Sequence, residues 1–107
     1  MGQLGRNKDM KPVILKSARD DLKAIHEYLT GFGENPPEKF RKSFEKFCIQ
    51  VTDMPNMFSR YEHDRNYRKA VIAFDYLVFY KTEDTGGGVR IYRILHGKRN
   101  IEPLMQM

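Results

Sequence analysis

Tyr76-Leu77-Val78-Phe79-Tyr80 decides the fold of this chain, because an unbroken run of aromatic and β-branched residues is typical of a buried strand. Similar runs extend over Ala70 to Phe74 and over Val89 to Leu95. Asp75 is a candidate for a tight turn between the first two runs, and the glycine-rich segment Glu83 to Gly88 predicts a loop before the third. The last third of the chain is therefore predicted to form a three-stranded antiparallel meander.

The segment before the meander predicts one strand and a first helix. Val13-Ile14-Leu15 fits a short strand. Ser17 follows as the expected N-cap of the helix, and Asp20 stands three residues later, as in a capping box. Gly31 and Gly33 are expected to end the helix. Its apolar face has helical spacing and comprises Ala18, Leu22, Ile25, Leu29 and Phe32.

A second helix carries a matching apolar stripe. Asn35 is its expected cap, and Pro36 and Pro37 fit the first helical turn, where a proline removes no intrahelical hydrogen bond. The stripe comprises Phe40, Phe44, Phe47, Val51 and Met54. Two such stripes joined by a short Gly/Pro loop predict an antiparallel helical hairpin. The fold class is thus α+β: a strand, a helical hairpin, a three-stranded antiparallel meander that the first strand joins, and a short C-terminal tail.

Length and composition indicate one small globular domain. A chain of 107 residues holds one modest core, and the content of 40% hydrophobic and 12% aromatic residues argues against disorder. Residues 1–11 show no periodicity and are predicted to be a loose N-terminal arm, whereas residues 12–107 are predicted to form the domain. The single cysteine, Cys48, and the lack of an apolar stretch of about 20 residues predict a cytoplasmic protein without a membrane segment.

The charge of the chain favours acidic or polyanionic partners. Nineteen Lys and Arg residues against 14 Asp and Glu residues give a net charge of +5. On the second helix, a basic stretch either contacts such a partner or forms a solvated surface; it consists of Lys39, Arg41, Lys42 and Lys46. No metal site and no cofactor are expected, because the histidines and Cys48 lack the spacing of metal ligands. Four aromatic residues of the meander could stack on nucleobases but are expected to pack in the core instead: Tyr76, Phe79, Tyr80 and Tyr92.

The order of elements and three short motifs resemble the ParE/RelE superfamily of bacterial toxins. The motifs are Tyr67-Arg68-Lys69-Ala70, the central strand Tyr76 to Tyr80, and the ending Arg93-Ile94-Leu95-His96-Gly97-Lys98-Arg99-Asn100-Ile101. The resemblance extends over about residues Pro12 to Leu104, and the His-Gly-Lys-Arg turn is similar to the ParE branch in particular. Toxins of that branch belong to type II toxin-antitoxin modules. The resemblance implies a cognate antitoxin as partner, DNA gyrase as target and a role in plasmid stabilisation.

The RelE branch of the same superfamily supplies the alternative function. Its members are ribosome-dependent endoribonucleases that cut messenger RNA with basic residues, a general acid/base and a stacking aromatic, often a Tyr near the C-terminus. The tail Asn100 to Met107 contains no Tyr, which favours a binding inhibitor over an enzyme. A third alternative is a toxin scaffold that has lost toxicity and serves only as a plasmid-stability or regulatory partner.

The resemblance also nominates site residues. Arg68, Arg93, Lys98 and Arg99 are predicted to bind the target. Arg68 and Arg99 are further predicted to be exposed, because a buried unpaired guanidinium is prohibitive. If the protein is an RNase, its catalytic residues are Arg68, His96 and Arg99. Otherwise His96 is expected to cap the turn that follows it through a backbone hydrogen bond.

Overall fold

Two helices pack on one face of a four-stranded sheet in the computed structural model, which describes residues 11–83 and 88–105. The elements are β1 (Val13–Ile14), α1 (Lys16–Thr30), α2 (Asn35–Asp53), β2 (Arg68–Ile72), a 3-10 turn (Ala73–Asp75), β3 (Tyr76–Thr82), β4 (Val89–His96) and α3 (Ile101–Leu104). The sheet order is β1-β4-β3-β2, with β1 parallel to β4 and the other pairs antiparallel. The predicted α+β fold, including the entry of the first strand into the sheet of the meander, is confirmed.

The start of α1 completes an edge of the sheet. β1 ends at Ile14, so the outer edge of β4 has no strand beside its second half. Ser17 and Asp21, which lie one helical turn apart on the same face of α1, take the place of that strand: Ser17 Oγ donates to the Tyr92 carbonyl at 2.7 Å, and the Asp21 carboxylate accepts from the Ile94 amide at 2.9 Å. The prediction of Ser17 as the N-cap is therefore wrong. Leu15 is the N-cap, and Ser17 already lies within α1, with its hydroxyl donating to β4.

The helical hairpin forms as predicted, but its ends differ from the prediction. Asn35 is the first residue of α2 rather than its cap, and Glu34 precedes it. Phe32 and Met54 are 65% and 55% exposed, so their assignment to the apolar stripes is wrong. Both residues follow the last helical residue of their helix, and the helical period no longer directs them toward the sheet. The remaining stripe residues are buried or half-buried.

The turn between β2 and β3 lies where Asp75 predicted it, with a different shape. β2 begins at Arg68 and ends at Ile72, two residues earlier at each end than predicted, because residues 73–75 form a 3-10 turn. Phe74 and Asp75 both have positive φ angles, 61° and 63°. The predicted N-terminal arm and the predicted loop of residues 83–88 lie largely outside the described residues.

The main hydrophobic core lies between the two helices and one face of the sheet. It joins Ile25, Phe47 and Val51 of the helices to Val78, Tyr80, Ile91 and Ile94 of the sheet. A register shift between Phe79 and Tyr80 leaves Tyr92 as the extra residue of a β-bulge, since Phe79 pairs with Arg93 and Tyr80 with Ile91. The bulge lets Ile91 and Ile94, three residues apart, face the same core.

A second hydrophobic cluster covers the opposite face of the sheet. It is formed by Tyr61, Tyr67, Phe79, Leu95 and Met105, with Tyr92 packed against it. The irregular stretch before β2 and the C-terminal tail are therefore part of the fold, although the sequence pattern did not predict it. The expected packing of the meander aromatics in the core is confirmed, because all four belong to these two clusters or pack against them.

Candidate functional site

A tight turn after β4 carries the motif that the sequence singled out. His96 ends β4, and its Nδ1 accepts a hydrogen bond from the Lys98 amide at 3.1 Å, while the Arg99 amide donates to the His96 carbonyl at 3.0 Å. The imidazole lies edge-to-face against Tyr76, with ring centroids 5.1 Å apart. His96 thus caps the turn through a backbone hydrogen bond, as the second of the two alternatives for this residue predicted.

Gly97 joins this turn to the turn between β2 and β3. The Gly97 amide donates to the Asp75 carbonyl at 2.9 Å. A Cβ atom at position 97 would lie 3.2 Å from the same oxygen, closer than most Cβ contacts in proteins. A side chain at position 97 would require this oxygen to shift by a few tenths of an ångström, so glycine favours the close approach of the two turns.

Lys98 and Arg99 present unpaired cations at this end of the sheet. Both residues are exposed, and neither forms an ion pair within residues 11–83 and 88–105. The prediction that Arg99 is exposed is confirmed. These two side chains are free to contact an acidic or phosphate-bearing partner.

Arg68 lies at the other end of the sheet. It pairs with Tyr80, whereas His96 pairs with Tyr76, so the two positions are separated by four residues of β3, or about 13 Å along the strand. Its Nη1 donates to the Phe58 carbonyl at 2.7 Å, and the residue is half-buried. The prediction that Arg68 is exposed is wrong, because its guanidinium is hydrogen-bonded to the segment before β2 and holds that segment against the sheet.

The guanidinium of Arg93 is hydrogen-bonded to other residues of the same chain. Its guanidinium donates to both carboxylate oxygens of Asp21, at 2.8 and 3.0 Å, and to the Leu104 carbonyl at 2.8 Å. The two side chains of the ion pair are only 18% and 13% exposed. Hydrogen bonding to Asp21 raises the pKa of Arg93 further above its ordinary value. The expectation that Arg93 contacts a target is not favoured by this position, since the pair would have to be broken first.

The basic residues of α2 have different neighbours. Arg41 forms ion pairs with Glu38 and Glu45 on the same helix, so its charge is locally balanced. Lys39 lies over the ring of Phe74, with Nζ 5.8 Å from the centroid. Phe74 is 39% exposed and lies in the turn that Gly97 contacts. The sequence pattern placed Phe74 in a strand and did not predict it as a site residue. Its positive φ angle is what distinguishes it in the structure.

A groove of about 620 Å³ lies between the two helices of the hairpin. Apolar atoms of Leu22, Pro37, Phe40 and Phe44 line it. Its polar lining comes from His26, Thr30, Glu34, Glu38 and Arg41. The combination of an apolar floor and charged margins suits the apolar face of an amphipathic segment.

Within the described residues, no group of three or more His, Cys, Asp and Glu side chains converges in a way that could hold a metal ion. No described helix combines the length and the apolar composition that crossing a bilayer requires.

A family model and a solved structure are similar to this chain. The family model described as the ParE toxin of the type II toxin-antitoxin system parDE matches residues 13–101. Among solved structures, the chain is similar to one from the chromosomal ParDE toxin-antitoxin system of P. aeruginosa, with 18% sequence identity and a TM-score of 0.61 over 81% of this chain and 96% of that one. At this identity the likeness concerns the fold. No curated protein sequence matches the chain.

Proposed function

The chain belongs to the ParE toxins of type II toxin-antitoxin systems, and from that premise we propose that it acts by binding DNA gyrase and is neutralised by a cognate antitoxin. Poisoning of gyrase is the activity that the resemblance to the ParE branch implies. On this proposal the protein is an inhibitor that binds its target rather than an enzyme that cleaves a substrate.

The observation that carries the proposal is the separation of Arg68 from the other two residues that the RNase alternative needs, His96 and Arg99. Cleavage by a 2′-hydroxyl requires an acid or base next to cations that stabilise the phosphorane. Arg99 lies on the same turn as His96, but Arg68 lies about 13 Å along the sheet from it. Nδ1 of His96 also accepts a hydrogen bond from the Lys98 amide. A protein that binds and blocks needs no such pair, so the arrangement supports inhibition over cleavage.

Lys98 and Arg99 are the proposed target contacts. They lie side by side on a turn that is tied to its neighbour by the Gly97 to Asp75 hydrogen bond. Because their cations have no carboxylate partner in the described part of the chain, contact with an acidic surface does not require breaking an existing ion pair. A fixed turn also lowers the entropy lost on binding.

We assign the groove of the helical hairpin to the antitoxin. An amphipathic helix of the antitoxin would place its apolar side chains on Leu22, Pro37 and Phe44 and its polar side chains beside the charged margins of the groove. Co-expression with the adjacent reading frame should yield a complex that co-purifies and buries more than ~1,000 Å² of surface. Purification of the toxin alone, in high yield and from healthy cells that also express that frame, would contradict this assignment.

The target is tested with purified gyrase and purified ribosomes. We expect the protein to inhibit DNA supercoiling or to stabilise the cleaved gyrase–DNA complex, and to leave ribosome-bound messenger RNA intact. Replacing Lys98 and Arg99 together by Ala should remove most of the inhibition. The matched control replaces Lys23 and Lys46, which are exposed on the helices, and should retain it. Codon-positioned cuts in messenger RNA that depend on His96 would move the protein to the RelE-type function instead.

A further inference from the structure

The turn between β2 and β3 holds an exposed aromatic ring in an unfavourable backbone conformation. Phe74 and Asp75 have φ angles of 61° and 63°, in the left-handed region that a bulky L residue rarely adopts. Phe74 belongs to neither hydrophobic cluster, so burial in a core does not compensate for this conformation. Strain of this kind persists only where the surrounding structure imposes it, and it is concentrated at functional sites.

Contacts on both sides fix the turn in place. The Ala73 amide donates to Ser43 Oγ of α2 at 3.0 Å, and the Asp75 carbonyl accepts from the Gly97 amide at 2.9 Å. The Phe74 ring is therefore presented by a rigid turn that is tied to α2 on one side and to the His96–Arg99 turn on the other.

One cation lies over this ring, and two more lie on the neighbouring turn. Lys39 contacts its face, and Lys98 and Arg99 lie on the turn that is hydrogen-bonded to Asp75. Asp75 contributes one exposed carboxylate to the same turn. Aromatic residues and arginine are enriched in the cores of protein interfaces, where a few residues account for most of the binding free energy, and Phe74 and Arg99 are of these two types.

We propose that Phe74 is the apolar anchor of the target-binding surface and that it enters an apolar pocket bordered by carboxylates on a protein partner. The inference rests on the proposed function and extends it, because it adds a residue outside the His96–Arg99 turn to the same surface. The margin of the pocket is expected to carry carboxylates, because Lys39, Lys98 and Arg99 lack carboxylate partners within the described residues. A protein pocket that takes the exposed part of the ring fits better than a DNA duplex, because Asp75 adds a carboxylate to the same exposed turn, which disfavours contact with a uniformly charged phosphate backbone.

The decisive variant is Phe74→Asn, because Asn tolerates the left-handed conformation. A purely structural Phe74 would make this variant less stable. Under the proposal the variant unfolds at an equal or higher temperature, yet it inhibits gyrase supercoiling about tenfold less strongly or worse. Phe74→Tyr keeps the ring and should retain the inhibition. Ile49→Asn is the matched control: Ile49 is 72% exposed, and it lies on α2 about 15 Å from Lys39.

The outcomes separate this inference from the proposed function. If the wild-type protein inhibits gyrase and Phe74→Asn inhibits it equally, the inference is wrong and the proposed function stands. If the wild-type protein arrests growth without affecting gyrase, the gyrase proposal fails, and loss of growth arrest in Phe74→Asn but not in Ile49→Asn still supports the anchor. Absence of growth arrest by the wild-type protein overturns both. Binding of a DNA duplex alone that requires Phe74, or a variant that stays toxic and only escapes the antitoxin, would also overturn the inference.

Discussion

Asp21 and Arg93 form a bidentate ion pair that joins α1 to β4. Both carboxylate oxygens accept from the guanidinium, and one of them also accepts from the Ile94 amide at 2.9 Å. The pair is largely buried, and the Leu104 carbonyl accepts from the same guanidinium. One basic residue thus connects α1, β4 and the C-terminal segment.

Replacing Asp21 by Ala should destabilise the protein by about 2–3 kcal/mol, because it removes the charged partner of the half-buried Arg93 guanidinium and the acceptor of the Ile94 amide. Urea unfolding followed by circular dichroism measures the loss. The double variant Asp21→Ala/Arg93→Met removes both charges and should recover part of it. Equal stability of the wild-type protein and Asp21→Ala would show that the pair contributes nothing.

Replacing Phe47 by Ala should cost about 3–5 kcal/mol. Phe47 is 2% exposed and contacts the rings of Phe44, Phe58 and Tyr80. Phe44→Ala should cost less, since Phe44 is only half-buried and lines the groove. Thermal unfolding of the two variants tests the order. A larger effect at Phe44 would mean that the groove, and not the interface with the sheet, holds the hairpin in place.

Cys48 should react slowly with alkylating reagents in the folded protein. Burial, and to a smaller extent the Glu45 carboxylate, raises the pKa of its thiol to about 11, and only the thiolate is reactive. At pH 8 the thiolate fraction is then roughly a thousandth. Mass spectrometry of samples treated with iodoacetamide should show modification in denaturant and little without it.

The same pKa of Cys48 predicts a dependence of stability on pH. The folded state retains the proton longer than the unfolded state, so the contribution to stability is complete below about pH 9 and decreases as the pH rises toward 11. Cys48→Ala lacks this group, and its free energy of unfolding should decrease less between these two pH values. Identical curves for the two proteins would refute the burial of the thiol.

Gly97→Ala should destabilise the protein by about 1–3 kcal/mol, because the added Cβ lies 3.2 Å from a backbone oxygen that cannot move freely. The same substitution should also weaken growth arrest, since it separates the turns that carry Phe74 and Lys98. Lys98→Ala is the control for stability, because an exposed lysine without an ion pair contributes little to folding. A Gly97→Ala protein with wild-type stability and toxicity would show that the close approach of the turns is dispensable.

Local patterns in the sequence were sufficient to predict the two long helices and the four strands. The apolar stripes of α1 and α2 and the aromatic run of β3 each indicate a period, and a period can be read without knowing what lies opposite. The order of elements, together with the motifs Tyr67 to Ala70, Tyr76 to Tyr80 and Arg93 to Ile101, was sufficient to predict the family. Strand ends and helix caps were less predictable: Ser17 has the chemistry of a cap, but a strand carbonyl 75 residues away competes for its hydroxyl.

Only the tertiary structure decided what each basic residue does. The sequence does not distinguish the roles of Arg68, Arg93 and Arg99. In the fold, Arg68 donates to a loop carbonyl, Arg93 pairs with Asp21 and Arg99 is exposed. Phe74 likewise reads as one more strand residue until the turn gives it a positive φ. The physical reason is that side-chain period is a local property, whereas the partner of a polar or exposed side chain depends on segments that are distant in sequence and meet only in the folded chain.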